Sequence, residues 1–280
     1  MRYSVWVVLY VCSTSTALRG RPVTPPSGII WDGPCGKFQV HTFPTFADVA
    51  TQTSVLGHDG GEWTACTHLK IYGLNLATFF MRFLAYEFAP TTALEFGCGL
   101  GTTADFLARF SPGRARVTCI EPQPMLGELF DRRSARPAQL AVNIFNRTAN
   151  RCVAQLATHK FDLVYSLEVA EHIPGKHHKR LVRFLSRATA KYLVFSAGRP
   201  NQGGTGHLPG AGRFKEEWIK MFEDIGGLIH ERELSQMARN AAYPERGYDL
   251  YGNAFVMRHP ATPPASSDPS ERQELFSREY

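Results

Sequence analysis

The stretch LEFGCGLGTT, residues 94–103, sets Gly97, Gly99 and Gly101 at alternate positions directly behind an acidic, apolar run. Glycine has no Cβ, so such a loop can turn tightly and bring main-chain N–H groups against a ligand at the mouth of the helix that follows. The spacing is G-x-G-x-G, with Thr102 standing where a dinucleotide-binding loop needs its last glycine. Glu121 ends the next apolar run, about twenty residues beyond the loop, where a carboxylate can accept both hydroxyl hydrogens of a ribose. Asn146 ends a third run, in reach of a base edge for its amide.

A second concentration of reactive residues lies in FDLVYSLEVAEHIP, residues 161–174. Glu168, Glu171 and His172 fall within about one turn of chain, and the glycine-rich NQGGTGHLPG, residues 201–210, adds His207. Two carboxylates and two imidazoles are a donor set that can converge on Mg²⁺ or another divalent cation. Without a metal, His172 and His207 are the candidate proton acceptors, because an ordinary imidazole titrates near 6.5. A competing reading leaves Glu168 beside a ligand and His172 in local packing, with no ion. The 201–210 loop lacks the Lys-Ser/Thr pair of a phosphate-binding P-loop.

These residues need elements to position them, and the apolar periodicity supplies the elements. GLNLATFFMRFLAYEF places Leu74, Ala77, Phe80, Phe83, Leu84 and Tyr86 at helical spacing, and Pro90 closes the helix. Strands are then expected at 93–97, 116–121, 140–145, 161–167 and 191–197, alternating with helices at 102–110, 124–132, 148–157, 176–188 and 213–225. The runs GGLIHEREL and NAFVMRH would finish the sheet as an antiparallel pair. Strands alternating with helices mean an α/β fold, a doubly wound, mostly parallel sheet with an antiparallel final strand and helices on both faces. In such a sheet ligands sit beyond the carboxyl ends of the strands, where the chemistry-bearing residues fall.

The remaining sequence brackets that core. Arg2 precedes the apolar run SVWVVLYVC, and small residues at Ser15 and Ala17 suit a cleavage site, so residues 1–17 read as a signal peptide. The run is too short to span a bilayer stably, so no transmembrane span is expected once it is removed. Residues 18–65 read as an irregular or transit-like lead-in, 66–259 as the domain and 260–280 as a disordered tail. The acid-free RGRPVTPPS behind the apolar run points to an organelle or endomembrane lumen, a plastid being one candidate; without a working signal the chain would be cytoplasmic. NRT at 146–148 is a glycosylation sequon, expected to stay unmodified if Asn146 faces a ligand.

Charge excludes one class of partner. The formal net charge is +6, and Arg2, Arg19 and Arg21 supply three of those charges with no acid before Asp32, leaving +3 for the rest. That excess is too diffuse for a nucleic-acid track, and a small-molecule partner is the expectation. Lys179, Arg183 and Arg187 share one helix face and read as solvated. The six cysteines show no metal spacing, and with Cys98 in the glycine loop and Cys119 in a strand they read as buried thiols.

Taken in order, LEFGCGLGTTADFLA, VTCIEPQPM, FDLVYSLEVAEHIP and GHLPGAGRFKEEWIKMFEDIGG resemble the motifs of class I S-adenosylmethionine-dependent methyltransferases, over roughly residues 66–259. The resemblance implies a Rossmann-like domain with S-adenosylmethionine as cofactor and methyl transfer to an O or N acceptor. It implies that Glu95, Phe96, Gly97, Cys98, Gly99 and Gly101 lie near the amino-acid part of the cofactor, Glu121 on the ribose, and Pro122 and Gln123 beside the adenine. Ser166, Leu167 and Glu168 would approach the cofactor from the fourth strand. Asn146 departs from the aspartate common at its position, keeping a hydrogen-bonding group but losing a charge. The E-x-x-E-H pattern with a distant histidine is similar to small-RNA 2′-O-methyltransferases and some ubiquinone-pathway O-methyltransferases, implying a metal-dependent alternative acting on RNA or a diol. A noncatalytic methyltransferase-like binding protein shares the same pattern. A nicotinamide-dependent oxidoreductase shares only the first strand and the ribose carboxylate.

Overall fold

The computed structural model describes residues 31–33, 36–38, 53–55, 62–64, 78–98, 102–120, 138–140, 159–204, 206–242 and 251–264. Its centre is a run of short, apolar, β-branched and aromatic segments: β5 (Thr92–Phe96), β6 (Arg116–Ile120), β7 (Ala138–Leu140), β8 (Phe161–Leu167) and β9 (Thr189–Ser196). Segments this apolar cannot sit at a surface, and parallel pairing with helices on both faces buries them. β10 (Ile229–Glu231) and β11 (Phe255–Arg258) complete seven strands in the order β10-β11-β9-β8-β5-β6-β7. β5 pairs in parallel with both β6 and β8, whereas β11 runs antiparallel to β9 and to β10. The chain therefore moves outward from β5 to β7, then restarts on the other side at β8. The switch point lies between the carboxyl ends of β5 and β8, as the alternation of elements predicts.

The helices divide between the faces. Among the described residues α1 (Thr78–Glu87), α2 (Thr102–Phe110) and α5 (Arg232–Ala242) cover one face, burying Phe80, Phe83, Leu84, Leu107, Leu234 and Ala238 against Leu163, Tyr165, Val194 and Val256. α3 (His178–Ala188) and α4 (Lys215–Asp224) cover the other with Leu181, Val182, Leu185, Trp218 and Phe222 against Leu94, Val164, Phe195 and Phe255. Phe195 meets Trp218, Phe222 and Phe255 at ring centroids 4.9, 5.1 and 5.6 Å apart, which fixes β9 under both helices.

Several expectations change. GGLIHEREL yields a strand of only three residues, because Leu234 and Ala238, four apart, continue into the core as one stripe of α5. The third strand is described over 138–140, starting two residues before the expected 140–145, whose remainder lies outside the described residues. The segment expected to be irregular holds two short ribbons, β1 (Trp31–Gly33) with β2 (Gly36–Phe38) and β3 (Thr53–Val55) with β4 (Glu62–Thr64), each too short to show a period in sequence. In the expected tail, Thr262 Oγ1 donates to the Ala190 carbonyl at 3.3 Å. The helices expected at 124–132 and 148–157 lie outside the described residues, as does the signal segment. Among the described residues no helix is long and apolar enough to cross a membrane.

At the end of the sheet away from the glycine loop, Asp162 ties β5 to β8. Its Oδ2 accepts from Thr91 N at 3.0 Å, Thr91 Oγ1 at 2.6 Å and Thr92 N at 3.2 Å, while Lys191 Nζ lies 2.9 Å from Oδ1. Burial pushes the carboxyl up, but the bonds from Thr91 and Lys191 outweigh it and hold it at about 2. A depressed carboxylate contributes stability above its ordinary value of 3.8 and loses it as pH falls through about 2. Asp162→Asn is expected to lower stability at pH 7 by about 1–2 kcal/mol and to flatten the loss between pH 4 and 2, read from urea melts. Equal stability of the two proteins at pH 7 would sink the assignment.

Candidate functional site

The carboxyl end of β5 carries the first set of candidate residues. Glu95 and Phe96 are buried, and the chain turns at Gly97 with φ +78°. A Cβ at Gly97 would stand 2.4 Å from Val169 Cγ2, so both the left-handed backbone and the approach of the β8 turn require glycine. Gly97 N donates to the Ile120 carbonyl at 2.8 Å, folding the loop back over the end of β6. That brings Cys98 onto Cys119, and the two are disulfide-bonded with Cα atoms 5.8 Å apart. The expectation of free buried thiols is therefore corrected: Glu95 pairs with Cys119 in the parallel ladder, and the turn at Gly97 closes the remaining gap. Gly99, Gly101, Glu121, Pro122, Gln123 and Asn146 lie outside the described residues.

β8 delivers Ser166, Leu167 and Glu168, all buried. Glu168 has φ +53°, a left-handed turn rare for a residue with a side chain, and its N–H donates to the Ser196 carbonyl at 3.0 Å. Two residues missed in sequence face this region. Tyr165 Oη donates to Glu95 Oε2 at 3.2 Å, and burial first, then the Glu95 charge, push its phenol up. Tyr251 is also pushed up, by burial and then by the charges of Glu168 and Glu95. Tyr165 in its apolar strand looks like core in sequence, and Tyr251 stands in a turn; only the fold places them beside carboxylates.

A 3₁₀ turn at Ala170–His172 follows. Both imidazoles converge on its carboxylate: His172 Nε2 lies 3.8 Å and His207 Nε2 3.9 Å from Glu171 Oε1. The rings meet edge to face with centroids 5.0 Å apart, and one ligand atom from each of the three residues falls within 4.8 Å of the others. Glu168 stands outside that set, although its carboxyl is near enough to influence Glu171. The loop that brings His207 in is held at two points, by Leu208 N donating to the Glu171 carbonyl at 3.0 Å and by His172 Nδ1 at 2.8 Å from the Gly206 carbonyl. A carbonyl only accepts, so His172 carries its proton on Nδ1 and presents the Nε2 lone pair to the cluster. Glycine again permits the approach. A Cβ at Gly198 would stand 3.1 Å from His207 Cε1 and 3.2 Å from Glu171 Cβ, and one at Gly204, φ +140°, would stand 2.6 Å from His207 Nε2.

Burial sets the electrostatics of these three residues. Glu171 is almost fully buried, and neither of its oxygens meets a partner in full hydrogen-bond geometry, the N–H groups of Glu171 and Gly198 and the Glu168 carboxyl acting on it only loosely. Burial raises it to about 7; the N–H groups of Glu171 and Gly198 and the Glu168 carboxyl counter this only in part. Burial also lowers His172 to about 4, with the Gly206 carbonyl opposing it and His207 adding to it, and lowers His207. At neutral pH both imidazoles are therefore neutral and able to act as ligands. Ser166 Oγ and Ser196 Oγ, at the ends of β8 and β9, are likewise buried without a hydrogen-bond partner. Buried polar atoms are ordinarily satisfied, so their concentration at the strand ends fits a pocket whose ligands complete them.

Residues 70–247 match the family model described as a methyltransferase domain. By sequence, no curated protein matches the chain. Among solved structures, the chain is similar to a sugar N-methyltransferase from Streptoalloteichus, with 16% identity over 74% of this chain and 97% of that one and a TM-score of 0.49. It is also similar to a magnesium protoporphyrin IX methyltransferase from Synechocystis with bound S-adenosylmethionine, with 17% identity over 65% and 75% of the two chains and a TM-score of 0.41. An N-methyltransferase from Bradyrhizobium japonicum shows 18% identity over 66% and 94%, with a TM-score of 0.43.

The buried carboxylate has a signature in stability. Its folded value, about 7, lies above the ordinary 4.5, so stability falls as pH rises from 4.5 to 7 and stays reduced beyond. In chelator-treated protein Glu171→Gln is expected to add about 1–3 kcal/mol at pH 8 and nothing below pH 4.5. A destabilised variant at pH 8 would show that the carboxylate has a partner. The disulfide is checked by peptide mapping without reductant, which should recover Cys98 and Cys119 joined; at a sequence separation of 21, Cys98→Ser/Cys119→Ser should cost about 3 kcal/mol. Recovery of two free thiols would refute the bond.

Proposed function

The chain belongs to the methyltransferase-domain family, is an S-adenosylmethionine-dependent methyltransferase, and, we propose, methylates an oxygen or nitrogen of a small molecule beside a divalent cation held by Glu171, His172 and His207. The observation that carries the cation is the Glu171 carboxylate, buried without a partner in full hydrogen-bond geometry and approached by two neutral imidazoles. Removing an ion-binding carboxylate from water is costly unless an opposite charge compensates it, and no side-chain cation faces Glu171 among the described residues. Two imidazoles and one carboxylate also leave coordination positions open, and they suit a borderline first-row cation such as Mn²⁺ better than Mg²⁺, which prefers oxygen donors.

Methyl transfer from a sulfonium has an activated leaving group, so the protein's work is positioning, together with removal of an acceptor proton where there is one. The Gly97 turn and Glu95 present the loop after β5 to the amino-acid part of S-adenosylmethionine, which supplies the methyl group. When bound, the cation would act as a Lewis acid on an acceptor oxygen and lower the pKa of its hydroxyl. His172 is locked in one tautomer by Gly206, which leaves its Nε2 lone pair for the cation, and His207, the more exposed of the pair, would offer its Nε2 in the same way. The acid-free lead-in supports entry to an organelle or endomembrane lumen, and the Cys98–Cys119 bond is in keeping with an oxidising compartment.

Calorimetry on the full chain is expected to show binding of S-adenosylmethionine and S-adenosylhomocysteine but not NADH, and Gly97→Ala should remove it. Against a panel of hydroxylated and amino small molecules, EDTA should suppress transfer, Mg²⁺ or Mn²⁺ should restore it, and His207→Ala should impair transfer while sparing cofactor affinity. Cation affinity should rise as pH passes 7, because Glu171 must lose its proton. Transfer indifferent to EDTA would remove the cation and leave His172 and His207 as proton acceptors alone.

A further inference from the structure

The three residues of the centre come from two segments with no covalent link near the site: the turn Ala170–Ile173 after β8 and the loop 198–214 after β9. Two contacts join the segments at the centre itself, Leu208 N to the Glu171 carbonyl and His172 Nδ1 to the Gly206 carbonyl, and a second path lies behind the turn. His178, the first residue of α3 and buried, lies behind the turn. Its Nε2 approaches two carbonyls of that turn, Ile173 O at 2.9 Å and Ala170 O at 3.2 Å, and its Nδ1 meets Arg213 Nε at 2.8 Å. The chemistry allows only one assignment of protons. Guanidinium Nε–H donates and carbonyls accept, so His178 is neutral, protonated on Nε2, and accepts at Nδ1.

Arg213 is fixed in turn. Its Cζ lies 5.9 Å from the Trp218 ring centroid, Nη1 lies 3.6 Å from Glu217 Oε1, and its backbone N donates to the Gly198 carbonyl at 3.3 Å. The Trp218 ring also packs against His178 with centroids 4.7 Å apart. The path from the turn to the loop is thus Ile173 and Ala170 carbonyls, His178, Arg213 and Gly198, and Gly198 is the residue against which His207 and Glu171 pack. We propose that His178 and Arg213 are positioning residues, a strut that sets the distance of His207 from Glu171 and His172. The proposal rests on the reading of those three residues as a cation centre.

Arg213→Ala removes the donor. His178→Gln keeps an N–H toward the turn carbonyls but has no acceptor where Nδ1 stood, and His178→Asn keeps an acceptor near that position. Titration of Co²⁺ or Mn²⁺ into the full chain is expected to show affinity about 10–100-fold weaker in Arg213→Ala, His178→Gln and His178→Asn alike, the last because its shorter amide keeps the acceptor for Arg213 but no longer reaches the turn carbonyls. The double variant should be no worse than either single one, since both break the same link. Affinity for S-adenosylmethionine should stay unchanged, which a general loss of structure would not allow. If Arg213→Ala does not fold, Arg213→Lys, which retains the cation over Trp218 but lacks Nε–H, replaces it. Folded variants with wild-type cation affinity would overturn the strut. If the wild type binds no cation, the cation reading fails instead, and ¹⁵N imidazole spectra decide the strut: Arg213→Ala should shift the His178, His172 and His207 rings together, and a shift of His178 alone would refute it.

Discussion

Glu171 is the residue on which the rest of the site depends. A carboxylate removed from water and given no partner in full hydrogen-bond geometry opposes folding at neutral pH, and it persists only where the surrounding structure holds it in place. The means of holding it are visible. A 3₁₀ turn fixes its backbone, Leu208 N bonds its carbonyl, and two imidazoles kept neutral by their own burial face Oε1. The same low dielectric that raises the carboxyl lowers the histidines, so burial alone prepares one anion-forming and two neutral donors in one place.

The sheet explains why this happens at one end and not the other. At the far end, Asp162 is satisfied by Thr91, Thr92 and Lys191, and its role is to register β8 against β5. At the carboxyl ends, glycines at 97, 198 and 204 replace side-chain bulk with close approach of backbone. The polar atoms left without partners there, Ser166 Oγ, Ser196 Oγ and the Glu171 oxygens, belong to the end of the sheet where a doubly wound fold takes its ligands.

The fold was legible wherever periodicity was long enough. α1, α2, α3 and α4 and the five parallel strands follow from it, and the antiparallel finish followed from two short runs after them. α5 was hidden because Ile229 and His230 opened its run with a strand-like pair before the helical stripe of Leu234 and Ala238 began. In the site, the glycine loop and the E-x-x-E-H turn were readable because their residue types are unusual for their positions. The Cys98–Cys119 bond, Tyr165 beside Glu95, and the His178–Arg213 contact were not, because each joins residues whose meeting depends on strand register or on the course of a loop. His178 looked like one more basic residue in GKHHKR; only its two carbonyl partners distinguish it from its exposed neighbours.

The two carboxylates of the turn, four atoms of one short peptide, end up in different electrostatic settings, and the backbone is what separates them. With φ +53° Glu168 leaves the direction of β8, bonded through its N–H to Ser196, and its charge is felt by Tyr251 on the face covered by α1 and α5. Glu171, three residues on, points to the histidines. A regular helix would have stacked the two on one side, since residues three apart are neighbours there. The left-handed step at Glu168 turns its charge toward Tyr251, yet its carboxyl still approaches Glu171 closely enough to lower it. The two acids therefore remain connected, the Glu168 carboxyl offsetting part of the burial that raises Glu171.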